Sequence, residues 1–274
     1  LHYPLRRQRQ MCIRDRCIMP EIMSAKIFVF ANQKGGVGKT TSAVNIGAYL
    51  AEAGKKVLLI DFDSQANLSS SVGADREQPG IYEVITRKTP ASATVQPTPI
   101  PNLSIIPSNI DLSGAAIELA DVAGREFYLK NAISGIKENY DYIFVDCPPS
   151  LGILTVNGLA AAEFVLIPLQ CEYFALEGLN SLLQTIGSIQ RGINPALKIG
   201  GILFTMYDTR TRIAHEVVQE VTEYFKEKVF RTVIPRNVRL SEAPSHGIPI
   251  NRYDPDCIGA LSYRKLTEEV MRNV

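Results

Sequence analysis

Charge imbalance, paired cysteines and long apolar runs are all scarce in this chain, and each scarcity removes a class of protein. The net charge over 274 residues is only +1. No global field therefore draws the chain to nucleic acid or to an anionic membrane, and any such binding has to come from local patches. The five cysteines, Cys12, Cys17, Cys147, Cys171 and Cys257, are odd in number and form no C-x-x-C pair. That argues against a disulfide framework or a zinc site and fits a reduced, cytosolic setting. No apolar run approaches the roughly 18 to 20 residues that span a bilayer. Repeats, heptads and long charge runs are missing as well. What remains is a 46% hydrophobic chain, ordinary for a globular protein and long enough to bury most of its apolar surface without staples.

The first 22 residues differ in kind. Arg6, Arg7, Arg9, Arg14 and Arg16 stand against Asp15 and Glu21, a local net of +3, and subtracting this from +1 leaves about −2 for the rest. No apolar segment follows the arginines, so this is not a signal peptide. A native basic tail is one reading. The string from Leu1 to Arg16 also resembles a translated sequencing-adapter fragment, which would make Met23 the true start, and we adopt that reading. Residues 1–24 are expected to be a basic disordered or artefactual tail, and residues 25–274 a single domain.

Within that domain, near-continuous apolar runs at 26–31, 57–61, 103–106, 142–146, 164–169 and 200–205 predict strands covered on both faces. Helical patterns lie near 39–53, 111–121, 126–138, 152–162, 174–191, 213–227 and 257–272. In the fifth of these, Leu176, Leu179, Leu183, Ile186 and Ile189 recur at helical spacing. In the sixth, Ile213, Val217, Val221, Tyr224 and Phe225 do so, and both stripes are expected to face a sheet. Alternation of strand and helix predicts an α/β fold with a doubly wound, mostly parallel sheet. The four prolines between 89 and 101 predict a surface connector there.

The most informative stretch is Lys34-Gly35-Gly36-Val37-Gly38-Lys39-Thr40-Thr41, which follows the first strand and opens the first helix. A glycine-rich turn at a helix N-terminus cradles phosphate, because backbone N–H groups and the helix dipole both favour anions. Lys39 is placed to reach the β- and γ-phosphates and Thr40 to ligand Mg²⁺. The usual pattern G-x-x-x-x-G-K-[ST] fails at its first position, where Gln33 stands, and Lys34 follows as an extra lysine. Spacing alone leaves Lys34 open between a functional cation and a solvated loop residue.

Two aspartate motifs lie at predicted strand ends, where open α/β sheets place their ligands. Asp61 and Asp63 in Ile60-Asp61-Phe62-Asp63 sit two residues apart and point the same way in extended chain. Asp146 in Val145-Asp146-Cys147-Pro148-Pro149 suits the water shell of Mg²⁺. A lone aspartate after a strand is ordinarily a turn or cap residue; two such motifs downstream of a phosphate loop favour metal and water chemistry.

Taken together, K-G-G-V-G-K-T-T, I-D-F-D-S-Q, V-D-C-P-P-S and I-P-R-N-V-R-L-S-E-A-P-S resemble the ParA/Soj family of deviant-Walker ATPases, which partition chromosomes and plasmids. The likeness runs from about residue 26 to the C-terminus. The loop alone fits MinD-like relatives too, whereas the segments 234–245 and 169–178 point to Soj-type ParA. The resemblance implies a P-loop NTPase fold, ATP and Mg²⁺ as cofactors, and a self-partnered ATP-sandwich homodimer. It implies that Lys34 crosses to the other subunit's nucleotide and that Gly35, Gly36, Val37, Gly38, Lys39, Thr40 and Thr41 bind phosphate. Asp63 would help position the attacking water, Thr40, Asp61 and Asp146 would serve the metal, and Pro235 and Asn237 would contact adenine. Ser64 departs from the family's proline, which bears on the stiffness of that loop.

Arg210, Arg212, Lys226, Lys228, Arg231, Arg236 and Arg239 cluster late in the chain. Alone they read as a solvated face. The resemblance implies non-specific double-stranded DNA binding at Arg210 and Arg239, a ParB-like partner that stimulates slow hydrolysis, no membrane, and a cytoplasmic, nucleoid-associated location. A membrane-cycling MinD-like role would need a cationic amphipathic C-terminus, which 266–274 is not. An iron–sulfur role would need interface cysteines, a pattern Cys147 and Cys171 do not match. A ParA relative positioning a non-DNA cargo stays open. His215, His246, Cys147 and Cys171 are expected to be structural or surface residues.

Overall fold

The computed structural model describes residues 24–273; apart from Ser24, the expected tail over 1–24 lies outside the described residues. In chain order the elements are β1 (Lys26–Phe30), α1 (Lys39–Glu52), β2 (Val57–Asp61), α2 (Asn67–Ser71), α3 (Ile81–Ile85), β3 (Gln96–Pro97), β4 (Leu103–Ile106), α4 (Leu112–Glu118), α5 (Tyr128–Ile133), β5 (Tyr142–Asp146), α6 (Ile153–Ala161), β6 (Phe164–Gln170), α7 (Ala175–Gly192), β7 (Lys198–Thr205), α8 (Arg212–Phe225), α9 (Val238–Glu242), α10 (Ile250–Tyr253) and α11 (Ile258–Asn273). The strands form one sheet in the order β3-β4-β2-β5-β1-β6-β7. Every pairing is parallel except that of β3 with β4.

Side chains alternate across the sheet, so each central strand feeds two cores. Ile27 and Val29 of β1 pack with Leu58, Ile60, Ile143 and Val145 on one face. Phe28 and Phe30 pack with Leu59 and Phe144 on the other, against α1 and α11. On that second face Phe28 meets Phe144 edge-on at 5.4 Å and stacks on Phe164 at 5.1 Å. Burial on both faces explains why these strands read as apolar runs rather than as alternation.

Three details depart from the sequence reading. The connector over 89–101 contains β3, whose Gln96 and Pro97 pair antiparallel with Ile105 and Ser104. A proline is tolerated there because the strand is an edge and owes few ladder bonds. The predicted helix near 126–138 is helical only over Tyr128–Ile133, with single 3₁₀ turns at Arg125–Phe127 and Lys137–Asn139. In α8, Ala214, Val217 and Val221 are buried, while Ile213 and Tyr224 are exposed, Tyr224 to 80%. They flank the buried stripe rather than belonging to it. The α7 stripe does face the core, with Leu179, Leu182, Ile186 and Ile189 buried and Leu176 and Leu183 packed against it.

Candidate nucleotide site

The carboxyl ends of β1, β2 and β5 lie side by side at the centre of the sheet, because register pairs Phe30 with Asp146 and Asp61 with Asp146. The chain leaves β1 through Gly36 and Gly38, whose φ of 72° and 84° lie in the left-handed region that favours glycine. It then enters α1. That helix has no side-chain cap and no acidic residue in its first turn. Its leading N–H groups are left for an outside acceptor, at the positive end of the dipole. They open onto a cavity of about 740 Å³. Gly35, Gly36, Gly38, Lys39, Thr40, Thr41 and Asp63 line one side of it, and Pro235 and Asn237 line the other.

Residues 229–235 bring that second wall into place. This segment runs beside β7 in the same direction, with Val229 bridging Ile202 and Pro235 bridging Tyr207. The Asn237 side chain caps α9 by accepting from the Arg239 N–H at 2.9 Å.

Behind the phosphate loop sits a buried group of charges. Lys39 is buried; its amine donates to the Lys34 carbonyl at 3.2 Å, and burial lowers its pKa against the pull of Asp146. Thr40 Oγ1 donates to Asp146 Oδ2 at 2.6 Å. The other oxygen, Asp146 Oδ1, is buried and has no hydrogen-bond partner. Burial, and then the charge of Asp61, push the Asp146 carboxyl upward. Asp61 is fully buried and raised to about 6, chiefly by desolvation. It accepts from the Ser69 N–H at 2.8 Å, the Ser69 hydroxyl at 2.6 Å and the Asp63 N–H at 3.3 Å.

An orphaned carboxylate oxygen beside a threonine hydroxyl fits a cation. No cluster of three or more His, Cys, Asp or Glu suited to a metal is found among the described residues. That donor set suits Mg²⁺, which is held by few protein groups together with phosphate and water. Thr40 and Asp146 are the residues that would hold it. Asp61 stands one step back, with its oxygens taken by Ser69 and Asp63.

Of the remaining expected residues, Val37 is buried, its carbonyl accepting from the Thr205 hydroxyl at 2.8 Å. Lys34 does not line the cavity. Its amine lies in an ion pair with Glu172, just past β6. Arg210 is 84% exposed and bidentate on Asp208, with contacts of 2.9 and 2.7 Å. Its guanidinium holds the Asp208 carboxyl well below the usual range. Arg239 bonds Glu242 at 2.9 Å and lies 3.4 Å from Asp254. The Tyr207–Pro235 bridge brings the Arg210 loop and the segment leading into α9, which carries Arg239, to the same sheet edge. His215 is exposed and bonds Tyr207 at 3.0 Å, and His246 stacks on Tyr253, in line with structural roles. Cys147 and Cys171 are buried, and burial pushes the Cys171 thiol up to about 12.

Sequence reasoning assigned no role to Ser69, Thr205 or Glu172. Ser69 carries no period or motif relating it to Asp61, and Thr205 and Glu172 meet the loop only through strand order. Glu172 lies inside the segment 169–178 that carries the Soj-type resemblance, so the residue is legible in the sequence and its partner is not.

A parallel sheet whose central strand passes through a glycine turn into an uncapped helix defines the P-loop class of nucleotide-binding proteins. A family profile described as an AAA domain matches residues 25–199. The chromosome-partitioning ATPase Soj of Treponema pallidum (strain Nichols) is 61% identical over 246 residues, spanning 90% of this chain and 97% of that one. The sporulation initiation inhibitor protein Soj of Bacillus subtilis (strain 168) is 52% identical over 251 residues, spanning 90% and 99%. The crystal structure of cobyrinic acid a,c-diamide synthase from Mycobacterium smegmatis, with bound ATP analog and magnesium, superposes with a TM-score of 0.79 at 38% identity, over 90% of this chain and 95% of that one. The chain belongs to the Soj/ParA family of chromosome-partitioning ATPases.

Proposed function

We propose that residues 25–274 form an ATP-driven dimer switch that holds DNA without sequence preference and takes part in chromosome or plasmid partitioning. The chain is an ATP hydrolase using Mg²⁺, in keeping with relatives named as partitioning ATPases and a structural neighbour solved with an ATP analog and magnesium. That neighbour's name carries a different activity, but its identity of 38% is lower than the 61% and 52% of the two Soj proteins.

The observation that carries the dimer reading is the position of Lys34. It belongs to the phosphate loop yet stays out of its own cavity, 39% exposed, with its amine on Glu172. A cation placed there serves a phosphate brought by another molecule better than one in its own cradle. Phosphate charge on two facing copies repels unless cations bridge it, so ATP and Lys34 together make association depend on nucleotide. Mg²⁺, when bound, screens phosphate charge. In this reading Lys39 and the α1 N–H groups hold phosphate, Asp63 orients the attacking water, and Pro235 and Asn237 seat adenine. A ParB-like partner accelerates hydrolysis, and the cell location is the cytoplasm, on the nucleoid.

DNA contact is assigned to Arg210 and Arg239. Phosphate contacts carry no sequence information, and a dimer doubles their number, which steepens salt dependence. The test is DNA pelleting with ATP, with ADP and without nucleotide, alongside sedimentation velocity. Wild type pellets and dimerises with ATP only. The double charge reversal Arg210→Glu with Arg239→Glu loses retention while dimerising normally; unchanged retention refutes the DNA assignment.

A further inference from the structure

We infer that Glu172 is a latch that restrains Lys34 in the single chain, so that ATP on a second copy has to displace it before the dimer closes. The inference rests on the dimer reading above and adds to it a regulatory residue within the same subunit. The Lys34 amine is paired with Glu172 Oε2, and the other carboxylate oxygen, Oε1, accepts from the Gln170 side-chain amide. The carboxylate is thus held at both oxygens and does not swing freely.

The lysine end is fixed as well. The Lys34 N–H donates to Asn32 Oδ1 at 3.0 Å, and the Asn32 amide donates to the Pro168 carbonyl of β6 at 2.7 Å. Asn32 is buried. Both halves of the latch therefore hang on the end of β6, which lies beside β1 in the sheet. The pair spans 138 residues of sequence and exists only because those two strands are neighbours.

The physical consequence concerns discrimination. A lysine already neutralised by a carboxylate gains little from an uncharged or weakly charged surface. A γ-phosphate carries more negative charge than a carboxylate and competes for the amine; ADP has no γ-phosphate and competes poorly. The latch would raise the threshold for association and widen the gap between ATP and ADP. With Lys34 and Glu172 39% and 46% exposed, water reaches the pair, so the restraint is weak enough to be displaced.

The test is Glu172→Gln, which removes the charge and keeps the shape at a half-exposed position. Because two latches open per dimer, ATP-dependent dimerisation of this variant should be roughly 2- to 25-fold tighter than wild type by sedimentation velocity. The ADP form should gain measurable dimer too. On a Lys34→Ala background, Glu172→Gln should change nothing, which separates a latch from a general charge effect. If wild type dimerises with ATP and Glu172→Gln dimerises equally or more weakly, the latch is wrong and the dimer reading stands. If wild type stays monomeric with ATP, the dimer reading and the latch both fail.

Discussion

Single residues at this site work against their solvation. Asp61 and Asp146 meet at the ends of neighbouring strands, fully or almost fully buried; desolvation raises the pKa of both, the charge of Asp61 adds to it at Asp146, and the charge of Asp63 adds to it at Asp61. A folded carboxyl that titrates above its ordinary value of 3.8 holds protons that the unfolded chain has released. Its stabilising contribution is complete below that value and is lost as pH rises through the folded pKa, about 6 for Asp61 and upward of its ordinary range for Asp146. Nucleotide-free protein should therefore lose up to about 3 kcal/mol from Asp61 between roughly pH 4 and pH 7. Urea midpoints across that range check this, and Asp146→Asn should flatten the slope. A midpoint that rises with pH in the wild type and is unaffected by Asp146→Asn would show that these carboxyls do not set it.

At the scale of elements, the nucleotide cavity depends on a segment that is not a regular strand. Residues 229–235 follow β7 by a few bonds, among them the Phe230 N–H to the Ile202 carbonyl at 3.0 Å and the Ile234 N–H to the Phe204 carbonyl at 2.9 Å. They carry Pro235 and Asn237 to the cavity wall. Gly201 of β7 makes room for this, since a Cβ there would lie 2.3 Å from the buried Phe230 ring. Gly201→Ala should destabilise the fold by about 1 to 3 kcal/mol through overpacking. It should also weaken nucleotide affinity by displacing the wall. Chemical denaturation and a nucleotide titration on the same variant measure both, and an unchanged affinity would separate the wall from the packing. Tertiary contact likewise sets the buried stripe of α8. Helical spacing included Ile213 and Tyr224, yet the helix seats a face centred on Ala214, Val217 and Val221. Periodicity marks an apolar side to within some tens of degrees, and the contact with the sheet chooses the centre.

For the whole molecule, the proposed function is a cycle in which nucleotide state would set association, and association would set DNA retention. Asp63 lines the cavity, and its Oδ1 accepts the Gln65 N–H at 3.0 Å, which aims the carboxylate within its own loop. Asp63→Ala should leave ATP binding intact, slow hydrolysis at least about 100-fold if it removes the group that orients water, and accumulate the ATP-bound dimer. Gel filtration with ATP measures that accumulation, and a monomeric Asp63→Ala protein would contradict the role. The pairing of Arg210 with Asp208 and of Arg239 with Glu242 and Asp254 also acts at this scale. In the proposed function, DNA phosphate would have to replace carboxylate partners at these exposed arginines, so contact should be weak per copy and should gain strength if the chain dimerises.

The sequence by itself determined the parts that depend on near neighbours in the chain. Apolar runs bounded by turns marked every strand but β3, and the glycine turn from Lys34 to Thr41 announced a phosphate cradle. Short helices such as α2 and α9, of five residues each, are too brief to show a period. Tertiary structure alone decided which charges meet. Strand order sets Asp61 beside Asp146, leaves Asp146 Oδ1 without a partner, and carries Glu172 to Lys34. Local patterns reflect the chemistry of a few consecutive residues, whereas pairing across a sheet is fixed by a packing register that no single stretch of chain encodes.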